Sequence, residues 1–125
     1  MKLLTVAAGG AIGASLRFLV AAATHGLLGK GFPFGTLLVN VLGSLLVGYL
    51  LVWLPEHDET VSLLRLLLVT GILGGFTTYS AFSVETLQLL QDGQLARASL
   101  NVALTVVLCL AAAWAGFAIG RGVHP

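Results

Sequence analysis

The residues best suited to chemistry in this sequence lie close together in residues 70–83, where three glycines and a cluster of threonines and serines occur. The Gly74-Gly75 pair costs a helix roughly 2 kcal/mol relative to alanine, and the β-branched pair Thr77-Thr78 adds to that cost. The sequence therefore predicts a helix that breaks near residues 74–78. The half-helix before the break ends in free carbonyls, which suit a cation, and the half-helix after it begins with free N–H groups, which favour an anion. The alternative is a glycine kink that neighbouring helices seal without any ion.

Two aromatic residues, Tyr79 and Phe82, follow the break at the i, i+3 spacing of a helix. Aromatic rings have a positive edge, against which a dehydrated anion can lie. Two aromatics at this spacing are also typical of ordinary core packing. Glu85 comes one turn further on, and its type and position fit a solvated end charge, a cap partner or a counter-ion equally well.

Polar residues recur at helical spacing in two apolar stretches on either side of this segment. In one, Thr36, Asn40, Ser44 and Gly48 lie four residues apart and share one helix face. In the other, one helix face carries residues that change from polar to small along the helix: Asn101, Thr105, Cys109, Ala113 and Gly116. A buried amide has two donors and an acceptor that a helix backbone cannot all satisfy. Asn40 is therefore either an interhelical bond or the lining of a pore.

Arg17 ends a small-residue face that begins with Gly9 and Gly13. The spacing of these glycines, and that of Gly71 and Gly75, fits the small-xxx-small pattern of close helix packing. An arginine within an apolar run needs water or a partner. A structural role for Arg17, by snorkelling or by binding carbonyls at a helix end, is favoured over a role in binding a substrate.

The composition places all of these residues in a membrane. Of the 125 residues, 58% are hydrophobic and 9% are charged, whereas a soluble domain has about 25% charged residues. That excludes a cytosolic enzyme, a disordered segment and a basic nucleic-acid-binding domain, and lipid must cover most of the surface. Four stretches are long and apolar enough to span a bilayer: residues 3–24, 34–54, 61–84 and 98–120. The predicted fold is a single all-α membrane domain of four helices, the third broken in mid-membrane.

The first stretch could be mistaken for a signal peptide, but Arg17 interrupts it and no soluble domain follows, so we expect a true span. Lys and Arg normally mark the cytoplasmic side. Here three cations fall on each side: Lys2, Arg65 and Arg121 against Arg17, Lys30 and Arg97. Either the chain is too short for the rule to apply, or it inserts in both orientations and assembles antiparallel.

Three segments together resemble the Fluc-type (CrcB) family of fluoride channels. Residues 9–17, GGAIGASLR, resemble the family's glycine-rich first-span motif, which ends in arginine. Residues 35–44, GTLLVNVLGS, resemble its second-span motif with a central asparagine. Residues 71–83, GILGGFTTYSAFS, resemble its third-span signature. The four-span layout matches over the whole chain.

The resemblance implies an antiparallel, dual-topology homodimer with two fluoride pores and a structural sodium ion at the dimer centre. By position in the motif, main-chain carbonyls of Gly74 and Thr77 would hold that sodium. The resemblance places six side chains along the fluoride path, Thr105 less firmly than the others: Asn40, Tyr79, Ser80, Phe82, Ser83 and Thr105. Two residues depart from the family, since Tyr79 stands where phenylalanine is usual and Ala81 where threonine or serine is usual.

The predicted function is passive export of fluoride through a multi-pass protein of the cell membrane, with no enzymatic activity. A small multidrug transporter is an alternative four-span, dual-topology protein, but it needs a carboxylate in its first span and residues 1–54 contain none. A second alternative is an assembly subunit that conducts nothing. The three histidines lie in connections or at the C-terminus, and the sequence contains no nucleophile–base pair, metal-ligand cluster or phosphate-binding loop.

Overall fold

A computed structural model describes residues 1–57 and 61–124 of the chain. Within these residues the protein is all-helical, and four helical stretches are long and apolar enough to cross a membrane: Lys2–Leu28, Phe34–Trp53, Ser62–Gln91 and Leu95–Val123. The first, second and fourth are continuous helices, which we call α1, α2 and α6. The third stretch is interrupted. Each stretch spans at least 20 residues, enough to cross a hydrocarbon core of about 30 Å.

The third span is assembled from four pieces. A short helix α3 (Ser62–Arg65) continues as a π-helical segment (Leu66–Leu73) and then as α4 (Gly74–Phe76). After Thr77 and Thr78, the chain resumes as α5 (Tyr79–Gln91). The prediction of a broken third helix is thus confirmed.

The glycine pair, however, does not make the break as the sequence predicts. Gly74 has helical angles (φ −62°, ψ −38°), and the chain turns extended at Thr77 (φ −83°, ψ 158°) and Thr78 (φ −153°, ψ 121°). β-Branched residues prefer extended backbone, so the threonines take up the interruption. Gly75 instead allows close packing, because a Cβ there would lie 2.7 Å from the carbonyl oxygen of Gly10.

Glycines bring α1 against the first half of the third span at backbone contact distance. A Cβ added at Gly9 would lie 2.7 Å from the carbonyl oxygen of Leu67, and one at Gly13 would clash with the carbonyl of Ile72. Helix α2 packs on α6 in the same manner, since Gly48 lies against Ala113 and Gly116 against Leu45. Dispersion contacts between such closely approaching backbones replace the hydrophobic effect, which does not act between helices in lipid.

Three arginines hold the ends of these elements by donating to main-chain carbonyls. Nε of Arg17 donates to the carbonyl of Gly75 at 3.1 Å, a contact between α1 and α4. Nη1 of Arg65 donates to the carbonyl of Leu54 at 2.6 Å, just past the end of α2. Nη1 of Arg97 donates to the carbonyl of Gly31 at 3.1 Å and so joins the first turn of α6 to the α1–α2 connection.

Replacing Gly13 by alanine is expected to destabilise the fold by about 1–3 kcal/mol, because the new methyl group meets backbone that cannot move aside. The matched control is Gly26→Ala in the same helix, where an added Cβ meets nothing within 4 Å. The melting temperature of detergent-solubilised protein is the measurement. Equal melting temperatures for the two variants would contradict the proposed role of the glycine contact.

Candidate anion pathway at the broken helix

The side chain of Asn40 bridges the interruption of the third span. Its Oδ1 accepts a hydrogen bond from the N–H of Thr78 at 2.8 Å, and its Nδ2 donates to the carbonyl of Thr78 at 3.0 Å. The amide thus satisfies both main-chain polar groups of an extended residue that lies at membrane depth. Asn40 therefore joins α2 to the third span by hydrogen bonds. The second hydrogen of its Nδ2 remains available to another acceptor.

The hydroxyl of Thr78 caps the N-terminus of α5, the helix that follows. Its Oγ1 accepts from the N–H of Ala81 at 3.1 Å, which is the geometry of an N-cap. The first turn of α5 therefore directs the positive end of its dipole toward the break.

Two carbonyls beside the break lose their usual helical donors. The N–H of Thr78, which would donate to the carbonyl of Gly74 in a continuous α-helix, donates to Asn40 instead. The N–H of Ala81, which would donate to the carbonyl of Thr77, donates to the Thr78 hydroxyl. The carbonyl of Gly75, which lies between them, accepts from Arg17. Main-chain oxygen atoms at the end of a half-helix are ligands suited to a hard monovalent cation.

A groove of about 500 Å³ opens on the surface of the protomer beside the break. We call it the outer groove. Its lining is mostly apolar, with these polar residues among its walls: Asn40, Ser44, Thr77, Thr78, Tyr79, Thr105 and Cys109. Four residues that the sequence analysis singles out for a fluoride path or a sodium site thus line one surface: Asn40, Thr77, Tyr79 and Thr105.

The aromatic pair differs in exposure. Tyr79 is 81% exposed in the protomer, whereas Phe82 is buried. Their ring centroids are 5.6 Å apart with an interplanar angle of 64°, an edge-to-face arrangement.

The two serines have different partners and do not line the outer groove. Oγ of Ser83 donates to the carbonyl of Tyr79 at 3.0 Å, a back-bond within α5. Oγ of Ser80 lies 3.3 Å from the Thr78 hydroxyl, and Ser80 opens onto a shallow cavity that Glu85 also lines.

The fourth span contributes a buried amide between α5 and α6. Asn101 is only 1% exposed, and its Nδ2 donates to the Thr86 hydroxyl at 2.9 Å. Oγ1 of Thr105 lies 3.5 Å from Oδ1 of Asn101, so the network extends one turn along α6. Thr105 is the member of this network that reaches the outer groove.

Glu85 lines two further cavities. One, the inner cavity, has a volume of about 420 Å³ and is lined by Arg17, Thr36 and Thr78 as well as Glu85. The other, the vestibule, has a volume of about 240 Å³ and lies where α1 ends. Oγ1 of Thr36 donates to Oε1 of Glu85 at 2.8 Å. The carboxylate is thus bound to α2 and is not simply a solvated end charge.

Sequence reasoning did not find the pairing of Thr36 with Glu85 or the cap that Thr78 provides. The cap has a local signal, because a threonine directly before a predicted helix is a preferred N-cap residue. The pairing has none, because the two residues are 49 positions apart in the chain.

Comparisons with a family model and with individual proteins point to the same family. A family model described as "CrcB-like protein, Camphor Resistance (CrcB)" matches residues 4–117. A protein of Methylococcus capsulatus named fluoride-specific ion channel FluC is 46% identical over 121 residues, covering 97% of this chain and 53% of its own length. This chain therefore spans about half of that relative. Proteins of the same name from Geobacter sulfurreducens (45% identical, 95% of this chain and 96% of the relative) and Roseobacter denitrificans (47%, 98% and 98%) match over nearly their whole length.

Replacing Thr78 by valine removes the cap hydroxyl but keeps the β-branched shape, and it is expected to lower stability by about 1 kcal/mol. The matched variant Thr78→Ser keeps the hydroxyl and should retain most of the stability. Thermal unfolding in detergent, followed by circular dichroism, compares the two. A serine variant that is as unstable as the valine variant would show that the hydroxyl does not cap α5.

Proposed function

The chain belongs to the CrcB-like family, and we propose that it is a fluoride-selective ion channel through which fluoride leaves the cell down its gradient. The observation that carries this proposal is the interrupted third span, where Asn40 joins the break and the N-terminal dipole of α5 faces it. The name fluoride-specific ion channel, which the relatives carry, supports the identity of the ion. Those names describe channels rather than enzymes, and the four apolar helices make this a multi-pass protein of the cell membrane.

The proposed mechanism is stepwise replacement of the ion's water shell by groups of the protein. The second amide hydrogen of Asn40 and the hydroxyl of Thr105 supply donors on the outer groove. The edges of the Tyr79 and Phe82 rings stabilise the ion where hydroxyls are sparse. The hydroxyls of Ser80 and Ser83 continue the path along α5, although Ser83 must first give up its bond to the Tyr79 carbonyl. Asn40 is held by its two hydrogen bonds to Thr78, so this donor needs little reorganisation as the ion passes.

A second copy of the chain is the proposed cover of the outer groove. The groove is open on the protomer, and Tyr79, which lines it, is 81% exposed. The balance of three cations on each side supports an antiparallel arrangement, because it gives neither orientation an advantage during insertion. Pairing would turn an open groove into an enclosed path.

A structural sodium ion is proposed at the carbonyls of Gly74 and Thr77. The donor set fits, because both carbonyls have lost their usual helical donors and are hard oxygen ligands. Two carbonyls are too few to replace the water around a cation, and a second copy would double the set. Sodium would supply positive charge where the backbone carbonyls of two broken helices meet.

The multidrug transporter lacks support, because residues 1–54 contain no carboxylate and the relatives are named as fluoride channels. A non-conducting subunit would release no fluoride from loaded liposomes, whereas a channel would.

Reconstituted protein is expected to release fluoride from loaded liposomes far faster than empty liposomes do, while chloride release stays at the leak level. A fluoride electrode and a chloride electrode measure the two fluxes under the same gradient. Equal rates for the two anions would contradict selectivity, and no fluoride release would contradict the channel.

Replacing Asn40 by aspartate keeps the size of the side chain and the acceptor for the Thr78 N–H, but it removes both amide hydrogens, including the one donated to the Thr78 carbonyl, and an ionised carboxylate adds a negative charge. Fluoride release is expected to slow by about tenfold or more, because a donor to the anion is lost and a negative charge repels it. Thr105→Val removes a peripheral donor and should have a smaller effect. If Asn40→Asp assembles normally and loses no rate, the amide does not contact the ion.

Sodium is expected to raise the melting temperature of the detergent-solubilised protein relative to the same concentration of potassium, because a ligand that binds only the folded state stabilises it. The stabilisation should increase with sodium concentration, and a large organic cation serves as the ionic-strength control. Equal melting temperatures in all three salts would contradict a specific sodium site.

A further inference from the structure

Serine and threonine hydroxyls in this protein commonly bond to the backbone of their own helix. Six of those in the described residues donate to the carbonyl four positions earlier, at distances of 2.7–3.0 Å: Thr5, Ser15, Thr24, Thr77, Ser83 and Thr86. Such a back-bond directs the hydroxyl hydrogen along the helix. The oxygen keeps its lone pairs, but the single hydrogen is no longer free to bind an anion beside the helix.

Thr105 departs from this pattern. Its Oγ1 lies 3.5 Å from the side-chain oxygen of Asn101, which is also four positions earlier, and within the described part of the chain it donates to no main-chain carbonyl. The amide oxygen of Asn101 has therefore taken the place of the carbonyl as the acceptor. Because 3.5 Å is long for a bond between two oxygen atoms, the hydrogen of Thr105 is held only loosely.

The neighbouring hydrogen bonds determine which end of the Asn101 amide faces Thr105. The Thr86 hydroxyl donates its hydrogen to the carbonyl of Phe82 at 2.7 Å, so it has only lone pairs to offer to Asn101. The amide nitrogen must then face Thr86, to which it donates at 2.9 Å, and the amide oxygen must face Thr105. All three bonds donate in one direction, from the outer groove toward α5, and bonds in such a chain strengthen one another.

Burial keeps the Asn101 amide in this orientation. The side chain is buried between α5 and α6. If the amide turned over, its oxygen would face the oxygen of Thr86, and the lost hydrogen bond could not be replaced by water. Thr105, in contrast, is half-buried and lines the outer groove. A fixed buried acceptor thus lies behind a hydroxyl that the groove can reach.

We propose that Asn101 is a positioning residue of the ion path, which keeps the Thr105 hydroxyl out of the helix back-bond. In the absence of an ion, the hydrogen of Thr105 rests on the amide oxygen of Asn101. When an anion enters the outer groove, the hydrogen turns to it, because a charged acceptor binds a hydroxyl more strongly than a neutral oxygen does. Asn101 does not touch the ion. The inference rests on the proposed channel function.

Removal of the amide oxygen should return Thr105 to the bonding pattern of the other hydroxyls. In Asn101→Leu, the acceptor that the helix offers to Thr105 is the main-chain carbonyl of residue 101. The hydrogen would then be bound as firmly as in the back-bonds of 2.7–3.0 Å. The outer groove would lose a donor although Thr105 itself is unchanged.

The experiment is a double-mutant cycle on fluoride efflux from liposomes, with the melting temperature of each variant measured in detergent. Asn101→Leu and Thr105→Val should each slow efflux by roughly threefold, because each removes one donor from the path. The double variant should be no slower than Asn101→Leu alone, since both changes remove the same donor. A merely structural role of Asn101 would instead multiply the two effects to about ninefold.

Thr86→Val provides a second test, which remains available if Asn101→Leu does not fold. It removes the acceptor that orients the amide, so it should slow efflux in the wild-type background but not in Thr105→Val. The matched control is Thr24→Val, because the hydroxyls of Thr24 and Thr86 both back-bond at 2.7 Å, whereas Thr24 lies in α1 and does not line the outer groove. Thr24→Val should keep the wild-type rate.

Three results would overturn the role of Asn101 while leaving the channel function intact. The first is a wild-type rate in Asn101→Leu or in Thr105→Val. The second is an equal slowing by Asn101→Leu, or by Thr86→Val, with and without the Thr105 hydroxyl. The third is a slowing by Thr24→Val as large as that by Thr86→Val, because the effect would then follow the loss of any back-bonded hydroxyl. Absence of fluoride efflux from the wild-type protein would overturn the channel function and this inference together.

Discussion

The two hydrogen bonds between the side-chain amide of Asn40 and the backbone of Thr78 are the interaction on which the rest of this structure depends. A membrane interior offers no water to an unpaired peptide group, so a helix can be interrupted there only where protein supplies the missing partners. Asn40 supplies a donor and an acceptor at once. The extended residues it stabilises leave carbonyls free on one side of the break and allow a capped helix to begin on the other. A single amide thus makes two electrostatically opposite helix ends compatible with lipid.

The glycine contacts give this interruption a rigid support. Gly9 and Gly13 bring α1 to the backbone of the π-helical segment and of α4, and Arg17 then reaches the carbonyl of Gly75 from the same helix. The half-helix that carries the unpaired carbonyls is therefore fixed from one side by α1. Thr77, which follows this half-helix directly, lines the outer groove. Close packing thus ends where the open polar edge begins.

The sequence predicted those features that depend on local physics. Long apolar runs identified four spans, and glycines with adjacent β-branched residues located the interruption. Within the predicted range of residues 74–78, the break falls at Thr77-Thr78 and not at the Gly74-Gly75 pair, because helix propensities describe isolated helices in water, whereas here Gly75 packs against the backbone of Gly10 in α1. The roles of Asn40 and Glu85 remained open because their partners are 38 and 49 residues away. No local pattern encodes such pairs.

The three arginine contacts with main-chain carbonyls limit how the orientation of this protein could be re-engineered. Arg17, Arg65 and Arg97 each bind an oxygen that belongs to another element. Substituting any of them to bias insertion would alter the charge balance and a tertiary contact together, and the two consequences could not be separated. Lys2 is exposed at the start of α1 and offers a cleaner position for that purpose. Of the six Lys and Arg residues in the chain, three thus make tertiary contacts and are poor choices for changing the orientation by mutation.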